Sequence, residues 1–109
     1  MSLSLRDVQE ATDRYIREAG GYWSEKENIL RLVEEVGELS REVSHLLGPK
    51  RKKPEEKEGS PSEELGDILF VVAVLANQLG VDLEAAFAAT LEKYRRRDGG
   101  RWRGKGEGA

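Results

Sequence analysis

The sequence predicts an all-α protein, a four-helix bundle completed by homo-oligomerisation. Three observations carry that prediction. Apolar residues recur at a helical period in four segments, and no strand pattern or internal repeat accompanies them. Ser or Asp stands where each segment begins, and Gly-Gly or Gly-Pro follows three of the four. The third segment is apolar on every side from Ile68 to Ala76. A helix like that is buried all round, and three companion helices in a 109-residue chain can scarcely cover it. Part of it, or of the second helix, is therefore expected at a subunit interface.

The first helix begins at Ser4, an N-cap with Asp7 three residues on. Leu5, Val8, Thr12, Tyr15, Ile16 and Ala19 follow its period, and Gly20-Gly21 stops it. The second begins at Ser24, with Glu27 placed to close a capping box. Ile29, Leu32, Val33, Val36, Leu39, Val43, Leu46 and Leu47 form one stripe, and Gly48-Pro49 ends it. Residues 48–60 are charged and rich in Pro and Gly, which predicts a flexible loop; the alternative is a basic lip, Lys50 to Lys53, over an anion. The third helix opens at Ser60 with Pro61 in its first position and Glu63 closing the box. The fourth runs from Asp82 to about Arg97, where Gly99-Gly100 is expected to end it. A basic, Gly-rich tail, 98–109, follows, with Trp102 able to dock.

Composition narrows the function. The length suits a single domain, residues 1–109. The hydrophobic share is 38% and the charged share 36%, too balanced for a disordered chain. The absence of cysteine excludes a disulfide scaffold. The longest apolar run falls far short of a bilayer span, and no signal peptide is visible. The expectation is a cytoplasmic protein with no membrane partner. Residues 1–94 carry 12 basic and 19 acidic side chains, whereas residues 95–109 carry 6 and 2. An acidic body argues against binding a nucleic acid polymer.

The chemistry is expected where acids line up on helices. Glu35 and Glu38 are three apart on the second helix, and Glu64 and Asp67 three apart on the third. Each pair lies on one helix face and repels itself. If the two helices pack antiparallel, the four carboxylates face one another. Four facing carboxylates need a cation between them or raised pKa values. All-oxygen ligands suit Mg²⁺ or Mn²⁺, and Mg²⁺ is commonly completed by substrate phosphates. The set therefore points to a metal-assisted phosphate enzyme. Glu42 and Glu63 read instead as solvated surface.

Two other readings stay open. Glu42-Val43-Ser44-His45 spells the Glu-x-x-His pattern of di-iron bundles, and a symmetric homodimer would supply the second copy such a site needs. Alternatively the acids are surface, and the chain is a non-catalytic helical dimerisation module.

The run Leu32-Val33-Glu34-Glu35-Val36-Gly37-Glu38-Leu39 and the later Glu64-Leu65-Gly66-Asp67 match two acidic motifs, EExxE and ExxD. With the apolar continuation after Asp67, and Lys93-Tyr94, Arg97-Asp98 and Arg101-Trp102 at the end, the chain resembles the MazG-like nucleotide pyrophosphohydrolases over nearly its whole length. Its length and ending look like the short stand-alone YpjD-type members. It departs from many of them around Arg97 and Asp98, where they carry Asn after the Lys and an aromatic after the Arg cluster.

The resemblance implies an all-α dimer or dimer-based tetramer. It implies Mg²⁺-dependent hydrolysis of a nucleoside triphosphate, ribo or deoxy, to a monophosphate and pyrophosphate. By motif position Glu35, Glu38, Glu64 and Asp67 would hold metal, and Glu34 would orient or deprotonate the attacking water. Lys93 and Arg96 or Arg97 would contact the phosphates. Trp23, just before the acid-bearing helix, is a candidate to approach the base, with Tyr15, Tyr22 and Trp102 as other aromatics; Tyr15, at an apolar helical spacing, reads as core. Arg95 reads as a cation serving the helix dipole.

Overall fold

Caps written into the sequence set the elements. The computed structural model describes residues 2–47 and 60–106, with side chains described as far as Arg97. Its helices are α1 (Leu5–Glu18), α2 (Glu25–Leu47), α3 (Pro61–Leu79) and α4 (Leu83–Gly106). At α1, Ser4 Oγ accepts the Asp7 N–H and Asp7 Oδ2 accepts the Ser4 N–H, both at 3.0 Å. Gly20 and Gly21 follow at φ of 123° and 112°, which residues with a Cβ rarely adopt. At α2, Ser24 Oγ accepts the Glu27 N–H at 3.2 Å and Glu27 Oε1 accepts the Ser24 N–H at 3.3 Å. At α3, Ser60 Oγ accepts the Glu63 N–H at 3.0 Å, with Pro61 in the first turn. Ser60→Ala is therefore expected to cost about 1 kcal/mol in a urea unfolding curve. Glu63→Gln keeps that backbone donor and is expected to cost less.

Asp82 starts α4. Its Oδ1 accepts the Glu84 and Ala85 N–H groups at 3.0 and 3.3 Å, and Arg6 reaches its other oxygen at 3.1 Å. The Ala85 N–H and the guanidinium hold this carboxyl below the ordinary aspartate range. The expected stop at Gly99-Gly100 is corrected: α4 continues to Gly106. Glycine weakens a helix interior by about 1 kcal/mol relative to alanine but does not block it, as proline would. The expected loop and its basic lip at Lys50–Lys53 lie outside the described residues, as do the side chain of Trp102 and those of the rest of the tail.

Helix α3 is the centre of the arrangement. It lies antiparallel to α1, with Gln9 Nε2 donating to Asn77 Oδ1 at 3.0 Å near one end and Tyr15 edge-on to Phe70 at 6.0 Å further along. It is antiparallel to α2 as well, with Asn28 Nδ2 donating to Gln78 Oε1 at 3.0 Å and Glu35 opposite Glu64 and Asp67. Among the described residues the buried apolar set is Val71, Ala73, Val74 and Ala76, all on α3. That follows from its all-round apolarity. Polar ties brace the α1 side: Asn77 Nδ2 donates to Gln9 O and Tyr22 Oη, and Tyr22 Oη–H donates to Asp13. Among the described residues no single helix is long and apolar enough to cross a membrane.

In keeping with a helix that its own chain can scarcely cover, α3 is not buried all round: Leu69 within the apolar run, and Leu65 and Leu79 outside it, remain exposed. The apolar stripe of α2 does not face α3. Leu32 and Leu39 at its edge are half-buried, but Ile29, Val33, Val36, Val43, Leu46 and Leu47 are exposed. The face that meets α3 carries Asn28, Glu35 and Glu42 instead. Helix α4 turns away from α3 through 106° and packs against α1. Its Phe87, Leu91 and Tyr94 are exposed too.

Candidate active site

The polar face of α2 becomes a site because α3 carries its own acids past it. One carboxylate oxygen each from Glu35, Glu64 and Asp67 lies within 4.8 Å of the other two. Glu38, one turn along α2, is exposed and stands outside that set, yet its charge acts on Glu64. Oε2 of Glu64 is sealed from solvent and has no hydrogen-bond partner among the described residues. Burial pushes the Glu64 carboxyl above its ordinary range, and the charges of Glu35, Asp67, Glu38 and Glu42 push it further. A buried acceptor without a donor, facing two other carboxylates, is costly unless a proton or a cation completes it. Three converging oxygens of this kind fit a hard divalent ion.

Beside the acids lies a cavity of about 470 Å³, lined by Tyr15, Ile16, Trp23, Arg31, Phe70 and Val74 among others. Arg31 belongs to both places. Its guanidinium carbon stands 5.8 Å from the Trp23 ring centre and 5.6 Å from that of Phe70, and its Nε is 3.9 Å from Glu35 Oε2. Aromatic walls with a cation between them suit a flat, polarisable group.

Residues 23–102 match the MazG nucleotide pyrophosphohydrolase domain, which is most of the chain. The chain belongs to the MazG family. It is a hydrolase acting on nucleotide pyrophosphate bonds, in a family that generally depends on a divalent metal. Over 106 residues it is 45% identical to YpjD of Bacillus subtilis (strain 168), an uncharacterised protein, spanning 96% of each chain. It is 34% identical to YvdC of the same organism, covering 87% of this chain and 96% of that one. The crystal structure of Bacillus subtilis YpjD superposes with a TM-score of 0.75 at 43% identity, covering 86% of this chain and 97% of that one. A Bacillus-conserved MazG protein, a nucleotide pyrophosphohydrolase, superposes at 0.73 with 41% identity, over 89% and 95% of the two chains.

The MazG site gathers some of the expected residues and leaves others apart. Glu35, Glu64 and Asp67 converge, with Glu38 at their edge. Glu34 is exposed and outside the set, since neighbours on a helix point about 100° apart. Trp23 lines the cavity. Lys93, Arg96 and Arg97 line a separate shallow cleft on α4, about 380 Å³, which none of the acids lines. There Arg96 pairs with Glu92 at 3.5 Å, and Lys93 and Arg97 flank the Tyr94 ring. Arg95 also pairs with Glu92, at 3.9 Å, in keeping with a surface role.

Two assignments are overturned in this MazG chain. Glu42, read as solvated, is only 8% exposed and close enough to Glu64 to raise it. The signal was present: Glu35, Glu38 and Glu42 are spaced three and then four, one continuous helix face. Tyr15, read as core, is 60% exposed and forms part of the cavity wall with Phe70. Tyr22, considered for stacking, spends its hydroxyl on Asp13 and Asn77 instead. Glu63 stays exposed, as expected of a surface acid at a cap. The three-acid set contains neither Glu42 nor His45, so the Glu-x-x-His pattern is not what forms it.

Proposed function

We propose that this MazG chain hydrolyses nucleoside triphosphates, ribo or deoxy, to a monophosphate and pyrophosphate with Mg²⁺ or Mn²⁺, as a homodimer or a dimer-based tetramer. The observation that carries this is the convergence of Glu35, Glu64 and Asp67 around the unpartnered Glu64 Oε2. Those three acids, with Glu38, would hold the metal. Once bound, the metal supplies positive charge against the triphosphate and acidifies water at the α-phosphorus. The chain's own residues do the rest. Trp23, Tyr15 and Phe70 hold the base and so fix the α-phosphorus at the acids. Glu34 takes the proton of the attacking water. As the water oxygen bonds to the α-phosphorus, the bond to the α–β bridging oxygen breaks, and pyrophosphate leaves with that oxygen. Lys93 with Arg96 or Arg97 stabilises the charge on it.

The basic turn of α4 is not brought to the acids by its own chain. We infer that a second copy brings it. Exposed apolar faces on α2 and α4 favour that arrangement, since patches of this kind mark interaction surfaces. The substrate is a free nucleotide, because an acidic body repels a phosphate polymer. House-cleaning of the nucleotide pool is the matching biological role.

The test is product analysis. Purified protein is incubated with ribo- and deoxyribonucleoside triphosphates and Mg²⁺, Mn²⁺ or EDTA. Monophosphate plus pyrophosphate in equal amounts, lost in EDTA, is the expected result. Release of inorganic phosphate and a diphosphate would overturn the proposal.

A further inference from the structure

Arg31 joins two sites that would otherwise be independent. It lines the aromatic cavity, and its Nε stands 3.9 Å from Glu35 Oε2 in the acid set. That separation is an ion pair without a hydrogen bond's length, and the side chain is about a third exposed. The guanidinium is held from the side by the Trp23 and Phe70 rings rather than locked onto the carboxylate. Its charge therefore has opposite effects on two ligands. It repels a divalent cation placed among Glu35, Glu64 and Asp67, and it competes for Glu35. It attracts a triphosphate, which those same acids repel. Arginine suits the second role because its planar donors match phosphate oxygens two at a time.

We propose that Arg31 makes metal and nucleotide binding interdependent, acting as the counter-ion of Glu35 in the empty site and of the α-phosphate in the filled one. This rests on the nucleotide reading above. The protein then takes up metal weakly alone and strongly together with nucleotide. By linkage each ligand tightens the other by the same factor. Arg31 is a substrate-binding residue in this scheme, and its signature is a pair of changes of opposite sign.

The experiment is calorimetric titration of wild type, Arg31→Gln and Arg31→Lys. The probes are Mn²⁺ alone, and the non-hydrolysable α,β-imido analogue of the triphosphate that wild type cleaves fastest, in saturating Mn²⁺. Arg31→Gln is expected to bind Mn²⁺ alone about two- to fivefold more tightly, the range for an exposed ion pair removed. The same variant is expected to bind the analogue about tenfold or more weakly, as when a charged hydrogen bond is lost. Arg31→Lys keeps the charge without the fork. It is expected to leave Mn²⁺ affinity near wild type and to bind the analogue between the other two proteins. If both affinities fall together in Arg31→Gln, the residue only supports the cavity and the proposal is overturned. Unchanged affinities overturn it equally. A wild type that binds no Mn²⁺ and cleaves nothing overturns the nucleotide reading itself, so the two failures are separable.

Discussion

Glu64→Gln is expected to raise the Tm of the metal-free protein and to reduce pyrophosphate release by about two to four orders of magnitude, the scale on which a positioned catalytic group acts. The two effects have one origin. The Glu64 carboxyl is pushed up by burial and by Glu35, Asp67, Glu38 and Glu42, so ionising it costs free energy in the folded state that it does not cost in the unfolded one. A group raised on folding contributes stability that is present below its unfolded value and is lost as pH rises through the folded value. Metal-free wild type should therefore lose Tm as pH climbs from the ordinary glutamate value through the raised one. The Gln variant, which has nothing to titrate there, should lose less. Adding Mn²⁺ should reverse the order, because an ion bound only by the native state stabilises it by mass action, and Gln is a poor ligand for it. Melting curves from pH 4 to 8 with and without Mn²⁺, beside a turnover assay, decide the matter. A Gln variant that melts lower than wild type without metal at pH 8 would remove the acid cluster as the source of strain.

If copies associate through α2 as proposed, Val33→Glu is expected to dissociate them and abolish most activity while leaving the fold of each chain intact. Val33 is 65% exposed on α2, so a carboxylate there meets solvent in the isolated chain and should change its stability by no more than about 0.5 kcal/mol. At a self-complementary interface the same residue appears on both partners and buries an unpaired charge each time. An uncompensated buried charge weakens association by about a hundredfold or more. Turnover should fall with it, since α4 packs on α1 and its Lys93 cleft is separate from the acids. Sedimentation velocity and turnover are measured together, with Arg95→Glu on exposed α4 as the charge control. A wild type that sediments as a monomer, or a Val33→Glu protein with the wild-type assembly and rate, would refute the shared site.

Most of the elements are legible in the sequence because caps are local chemistry. Ser4, Ser24 and Ser60 each bond the backbone three residues on, and that spacing can be read from letters alone. The acids Glu35, Glu64 and Asp67 are legible for a related reason, since period and motif place them on facing helices. What is not legible is which side of α2 meets α3. An apolar stripe announces burial but not against what, and here the chain turns Asn28, Glu35 and Glu42 inward and leaves Val33 and Val36 out. Nothing in the letters says which face of α2 turns inward, and so Glu42 reads as a solvated acid. The continuation of α4 past Gly99-Gly100 escaped for the opposite reason, because propensity is a bias of about 1 kcal/mol per residue, not a stop.

The placement of the buried layer on α3 has a kinetic corollary. Val71, Ala73, Val74 and Ala76 share that helix with Glu64 and Asp67, about one to three turns away. Proteins usually open piecemeal, shedding peripheral segments at little cost while the centre stays shut. Here Glu64 sits in the first turn of α3 and Asp67 one turn before Val71. A fluctuation that carries Asp67 away must disturb the buried layer of the same helix, so the amide protons of α3 from Val71 onward should be the slowest to exchange. An ion held there has to leave through the mouth of the site rather than through a breach in its wall. Its residence time is then set by the ligands themselves, including whichever nucleotide sits over them.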